Sequence, residues 1–314
     1  MATLSGVTAN RREFRVEEKH GGTRLDLYLA RELELSRAAV RRLLARGAVR
    51  VEGRVVGEAA KGSSVSGGAQ VEVAPFVRPE DQQARAEPDL PFRVLASGTG
   101  WLAFDKPAGV AVHPLREQET GTLLNALCAR DPGVQGVGEG GLRSGVVHRL
   151  DIDTSGVVLF ATRKESWQRL REGFSEGRVE KVYRAVVRGR LDHDGSVELP
   201  LITARHRPAR VRVVDETEKA RGAWLSSLRW HCLEDLNGAT LIEVRPKTGF
   251  LHQIRVSLAH LGFPILGDRV YGPRDENLGA QRQMLHAARI RFEAVEAESP
   301  IPQDMADFCR LLAP

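Results

Sequence analysis

Four prolines, Pro75, Pro79, Pro88 and Pro91, fall within one short polar stretch of this 314-residue chain. Each lacks a backbone donor and pushes the residue before it out of helical geometry. No helix or central strand crosses such a stretch, so the chain must fold as two units on either side of it. The boundaries read as a polar tail over residues 1–21, a small unit over 22–75, a linker over 76–90 and a large unit over 91–314. Hydrophobic residues at 42% and charged residues at 28% supply enough apolar material for packed cores and exclude a disordered tract.

The small unit reads as α/β. Apolar residues from Arg24 to Ala30 recur at helical spacing, Ser36 suits an N-cap, and a second helical run from Arg37 to Arg46 stops at Gly47. Ala48 to Gly53 then alternates and turns as a short hairpin does. The net charge of +5 names no partner by itself, but between Arg24 and Arg54 eight arginines stand against four acids. Arg37, Arg41, Arg42 and Arg46 lie in a stretch with no acid. Guanidinium groups bind phosphate in pairs of hydrogen bonds, although a solvated helix face produces the same pattern. A second basic run, Arg205, His206, Arg207, Arg210 and Arg212, reads as a hairpin facing either RNA backbone or solvent.

The large unit reads as α+β. Short apolar runs at Trp101 to Phe104, Val157 to Thr162, Val182 to Val187 and Thr240 to Val244 interleave with helical patterns at Glu165 to Gly173 and Leu251 to Leu261. There is no regular βαβ rhythm, so a mixed, mainly antiparallel sheet with flanking helices is expected. Three scattered cysteines form neither a disulfide framework nor a zinc motif, and the histidines show no metal spacing. Neither a signal peptide nor a membrane-length apolar run is present. These features point to the cytoplasm, with no metal site and no membrane partner.

The densest chemistry lies in Val147-His148-Arg149-Leu150-Asp151-Ile152-Asp153-Thr154-Ser155-Gly156, just before the strand-like Val157 to Phe160. Two carboxylates, an arginine and a histidine share a polar loop at the edge of a sheet, a common seat for catalysis. Asp153, Thr154 and Ser155 suit turning and capping.

His148-Arg149-Leu150-Asp151-x-x-Thr154-Ser155-Gly156 resembles the signature of the RluA class of RNA pseudouridine synthases. Asp105 to Pro114, Lys181-Val182-Tyr183, Thr248 to Arg255 and Leu285-His286-Ala287 resemble four further segments of that class, in the same order. Residues 22–75 resemble the small RNA-binding domain first described in a ribosomal protein, here called S-four-like. The resemblance implies the pseudouridine synthase fold and a cofactor-free isomerase acting as a monomer on structured RNA. Large-subunit ribosomal RNA is the expected partner, and transfer RNA the second candidate. A non-catalytic RNA-binding or ribosome-assembly factor on the same fold is the alternative.

Pseudouridylation cleaves the bond between uracil and ribose, turns the ring and rejoins it through carbon five. It calls for an ionised carboxylate acting at the sugar, by attack on the anomeric carbon or by removal of a neighbouring proton, held charged by a fixed cation. The resemblance assigns the carboxylate to Asp151, the cation to Arg255 and a base-stacking ring to Tyr183. It makes Leu285 a pocket wall and places His148 and Arg149 at the RNA, with Arg37, Arg41, Arg42 and Arg46 binding RNA from the small unit. His252 and Arg255 share one helical face by spacing. One departure stands out. Phe250-Leu251 occupies the place where that class usually has Arg-Thr, which removes a charge and a hydroxyl and bears on RNA specificity.

Overall fold

The computed structural model describes residues 11–206, 208–215, 222–273 and 277–314 and separates into two compact units, residues 1–83 and 84–314. The first unit carries β1 (Arg12–Arg15), α1 (Leu25–Glu32), α2 (Arg37–Ala45), β2 (Val49–Val51), β3 (Arg54–Val56) and β4 (Gln70–Val73), with a sheet in the order β1-β4-β2-β3. Ser36 caps α2 by accepting the Ala39 N–H at 3.2 Å, and Gly47 takes the left-handed turn after it with φ of 70°. Ala39, Val40, Leu43 and Leu44 bury one face of α2 against Leu25, Tyr28, Leu29 and Val71.

Two expected boundaries shift. Residues 12–15, read as tail, form strand β1, whose Phe14 pairs with Val71. Its apolar content, Phe14 followed by Val16, is too sparse to show a strand period. The end of the presumed linker belongs to the large unit. Ala84 is buried in that unit's core, its carbonyl accepts from Gln135 Nε2 at 2.7 Å, and the Arg85 carbonyl accepts from Asn125 Nδ2 at 2.7 Å. Prolines mark extended chain, and extended chain can still dock.

The large unit carries β5 (Arg93–Gly98), β6 (Trp101–Lys106), α3 (Leu123–Arg130), β7 (Ser155–Ala161), α4 (Lys164–Ser175), β8 (Glu180–Arg188), β9 (Gly195–His206), β10 (Ala209–Val213), β11 (Trp224–Leu236), β12 (Ala239–Pro246), α5 (Gln253–His260), β13 (Leu285–Phe292), β14 (Val295–Glu298) and α6 (Gln303–Leu311). One sheet runs β10-β9-β11-β12-β8-β13-β7-β6-β5, with β14 added on β13. It is antiparallel except for β7 beside β13, so the expected α+β class with a mixed, mainly antiparallel sheet is what forms. Strand β7 is buried along its whole length, consistent with its interior place and its unbroken apolar run.

Register places the chemistry. Lys106 pairs with Gly156, Gly156 with Ala287, Ala287 with Tyr183, and Tyr183 with Val244, one transverse row across five strands. Gly156 has φ of 114°, and a Cβ there would lie 2.1 Å from the Ala287 carbonyl oxygen. Only glycine lets β7 and β13 approach at the point where the Asp151 loop enters the sheet. Among the described residues no helix is long and apolar enough to cross a membrane.

Candidate active site

Asp151 sits on a turn whose backbone is tied down at its entry, its middle and its exit. At the entry, α4 supplies Trp167 Nε1 to the Val146 carbonyl and Arg171 Nη1 to the Val147 carbonyl, both at 3.0 Å. His148 accepts the Leu159 N–H at Nε2, 2.9 Å, and stacks on Phe174 with ring centroids 4.8 Å apart. In the middle, the Ile152 carbonyl accepts from Lys106 Nζ at 2.7 Å and from the Gly109 N–H at 2.9 Å. At the exit, Gln283 Nε2 donates to Thr154 Oγ1 at 2.6 Å, and Ser155 Oγ lies 3.0 Å from His286 Nδ1. Thr154 and Ser155 therefore anchor the turn, as their residue types suggest.

His148 was expected at the RNA; in the fold its ring is engaged by Leu159 and Phe174. An Nε2 that accepts a backbone N–H is unprotonated, and burial, aided by Lys181 and Arg171, pushes its pKa down to about 3. It is a neutral pin between loop, strand and helix. Arg149, one residue on, is exposed, and Asp151 lies near enough for its charge to act on the guanidinium.

Arg255 projects from the first turn of α5 and is buried at 7% exposure. Its Nη1 donates to Asp151 Oδ2 at 2.7 Å, while Nε and Nη2 grip Asp268 at 2.7 and 2.8 Å. Burial disfavours the charge on Arg255, but Asp268 and Asp151 more than offset it, so its pKa is raised. Asp268 is itself fixed by the N–H groups of Val270 and Tyr271 on Oδ1, at 2.9 and 3.2 Å. Burial opposes its ionisation too, and Arg255 outweighs burial to lower its pKa.

His252 precedes α5 rather than lying in it. Its left-handed backbone, φ 53°, turns the ring so that Nδ1 lies within hydrogen-bond distance of Tyr271 Oη at 2.8 Å while Nε2 stands 3.8 Å from Asp151 Oδ1. Tyr271 Oη also accepts the Val211 N–H at 2.8 Å, which ties the ring to β10. At 3.8 Å the imidazole is near Asp151 without a hydrogen bond to it.

Tyr183 lies on β8, half-buried against the core cluster that also holds Leu285 at 3% exposure. Burial and the nearby Asp151 charge raise its pKa, so the ring presents a neutral phenol. Asp151, Tyr183, Arg255 and Leu285 are thus brought together, with Arg149 at the rim. In the small unit, Arg41 and Arg42 are exposed on α2 and Arg46 at its C-cap. Arg37 is partly committed elsewhere: with Arg24 it neutralises the buried Asp26, donating to Oδ2 at 3.0 Å. In the second basic run Arg205, Arg210 and Arg212 are exposed, and Arg207 lies outside the described residues.

Sequence reasoning missed Asp268, Tyr271 and Gln283. A signal for the first of them is stoichiometric: a buried arginine carries five N–H donors, more than one carboxylate commonly occupies, so further acceptors are required and a second acid is one way to supply them. The segment Gly267-Asp268-Arg269-Val270-Tyr271-Gly272, an acid opening a glycine-bounded turn, supplies it. Lys106, in sequence only one residue of the Asp105 to Pro114 segment, is fully buried. It donates to the Pro107, Val110 and Ile152 carbonyls, and burial pulls its pKa down to about 7.

The sequence profile of the RNA pseudouridylate synthase family matches residues 100–260, a span that contains Asp151, Tyr183 and Arg255. A Chloroflexus aurantiacus protein named as an uncharacterized RNA pseudouridine synthase is 36% identical, over 92% of this chain and 90% of its own. A Xanthomonas campestris protein named ribosomal large subunit pseudouridine synthase D is 35% identical, over 92% of this chain and 89% of its own. The solved structure of human RNA pseudouridylate synthase domain containing 1 superposes with a TM-score of 0.55 at 25% identity, covering 67% of this chain and 84% of that one. The site geometry and the match over both chains agree: this chain belongs to the RNA pseudouridylate synthase family.

Proposed function

We propose that this protein isomerises uridines of large-subunit ribosomal RNA, with Asp151 acting at the ribose, Arg255 pairing with that carboxylate and fixing its position, and Tyr183 stacking on the extruded uracil. The observation that carries the reading is the 2.7 Å ion pair between Arg255 and Asp151, close enough to Tyr183 for the carboxylate's charge to bear on its phenol. Both routes open to Asp151, attack on the anomeric carbon and removal of the neighbouring proton, need its charged form in a partly dry setting, and a guanidinium is the cation that cannot be deprotonated there. The bond from C1′ to N1 breaks, the bond from C1′ to C5 forms, the C5 proton leaves and N1 takes up a proton. Electrons balance without an oxidant, and no cofactor enters. Leu285 walls the pocket, and Arg149 meets phosphate or fills the gap left by the extruded base.

Ribosomal rather than transfer RNA is favoured by the names of the relatives. In the same reading the small unit is an S-four-like RNA-binding domain, with Arg41, Arg42 and Arg46 on phosphates and Arg37 contributing beside Asp26. The protein works as a monomer in the cytoplasm. A non-catalytic binding factor would have no use for an arginine buried between two carboxylates at the head of the sheet, which disfavours that alternative. Pseudouridine has the mass of uridine, so carbodiimide mapping of total RNA from cells with and without the protein is the test. One or more large-subunit uridines should lose their mark in its absence, and an unchanged map would refute the proposal.

A further inference from the structure

Phe250-Leu251, the departure noted in the sequence, has a definite place in the fold. Both residues pack on the cluster of Leu201, Val211 and Val256, together with Val213 and Tyr271. Strand register continues this face outward: Val213 pairs with Leu201, and Leu201 with Trp224. Residues paired across strands share a face, so Trp224 stands at the open end of the same cluster. Its ring lies 19° from parallel to that of Phe250, with centroids 6.3 Å apart. Trp224 is 54% exposed and the adjoining Leu225 57%, while Phe250 is half-buried. Leu225, next along the strand, points to the other face, so the open surface here is the stacked pair of rings.

The other end of this cluster is the site. Tyr271 touches His252, which follows Phe250 by two residues and faces Asp151 at 3.8 Å. Cations lie close by. Arg210 is exposed and reaches the neutral Val270 carbonyl at 3.5 Å, and exposed Lys247 is held by its N–H on the Ser227 carbonyl of β11.

We propose that Trp224 and Phe250 form a stacking ledge for one unpaired nucleobase of the RNA that flanks the reacting uridine, with Arg210 and Lys247 on the adjoining phosphates. Flat aromatic faces beside cations suit single-stranded RNA, where stacking supplies affinity that tolerates sequence and cations track the backbone. A uridine delivered to Asp151 leaves its neighbours unpaired close to the site, and the ledge gives one of them a surface. The charge and hydroxyl absent at 250 and 251 are thereby replaced by a ring. This assignment rests on RNA being the substrate.

The test uses the full chain and total RNA, labelled with tritium at uridine C5, from cells lacking the protein. Trp224→Ala and Phe250→Leu, the latter keeping apolar bulk without a ring, should each raise the RNA concentration for half-maximal tritium release roughly tenfold. Saturated turnover should fall no more than about twofold, and Trp224→Phe should recover most of the loss. RNA quenching of tryptophan fluorescence, compared between the native chain and Trp224→Phe, reports stacking independently of turnover. If the native chain quenches through Trp224 but releases no tritium, the function proposed above fails and the ledge stands. Unchanged half-saturation in Trp224→Ala with no Trp224-dependent quenching overturns the ledge. A dimer in sedimentation that Trp224→Ala dissociates, with RNA affinity unaltered, overturns it too by showing a second copy as the occupant. Since Trp224 is exposed, its variants carry the test even if Phe250→Leu folds poorly.

Discussion

Arg255 joins two carboxylates: it grips Asp268 through Nε and Nη2 at 2.7 and 2.8 Å and extends Nη1 to Asp151 at 2.7 Å. The fork on Asp268 fixes the guanidinium plane, and the plane aims the third donor. Asp268→Asn, which puts a donor against a donor, is expected to lower turnover by about ten- to a hundredfold while the half-saturating RNA concentration changes little. Arg255→Lys keeps a charge but cannot span both acids, and a larger loss is expected. Tritium release against RNA concentration separates the two parameters.

His148 makes the fold acid-sensitive. Its pKa is 6.5 in ordinary surroundings and about 3 here, driven by burial and then by Lys181 and Arg171. As pH falls through that window the unfolded chain takes up a proton that the folded chain refuses, so this contribution to stability is complete above about 6.5 and is lost toward 3. The thermal midpoint should drop on acidification. His148→Phe keeps the ring on Phe174 but leaves the Leu159 N–H unpaired, so its midpoint should be lower near neutrality and fall less steeply with acid.

Gly156→Ala tests the approach of β7 to β13. With a Cβ 2.1 Å from the Ala287 oxygen, the strands must part. A destabilisation of roughly 2–3 kcal/mol in denaturant unfolding is expected, together with loss of turnover because the Asp151 loop hangs from that junction.

Arg41 and Arg42 are exposed on α2, and Arg46 is exposed at its C-cap. Removing a single phosphate-binding cation lowers the slope of log affinity against log salt by about 0.7 to 0.9, so replacing all three by alanine should reduce the slope by about two and weaken RNA binding at every sequence. Filter binding across a salt series measures this, and saturated turnover should be retained.

The sequence and the structure meet where local signals are strong. The Ser36 cap and Gly47 stop delimit α2, and the unbroken apolar run of Val157 to Phe160 is the fully buried interior strand β7. The Asp151–Arg255 pairing spans 104 residues, and only the family resemblance pointed to it. Asp268 and Tyr271 were hidden because their role depends on a turn folding back onto α5, a tertiary event with no local period. His148 reads in sequence as a ligand-facing residue because it stands three residues from Asp151, and only the fold shows its Nε2 accepting the Leu159 N–H. Residues 12–15 were missed because an edge strand with so few apolar residues lacks a readable alternation.

The most direct measurement is tritium release from C5-labelled RNA by purified Asp151→Asn beside the native chain. Asparagine preserves shape and the hydrogen bond's reach but removes the charge that acts at the ribose. The account predicts no release above background, with RNA affinity within a few-fold of native. Release at the native rate by Asp151→Asn would contradict it.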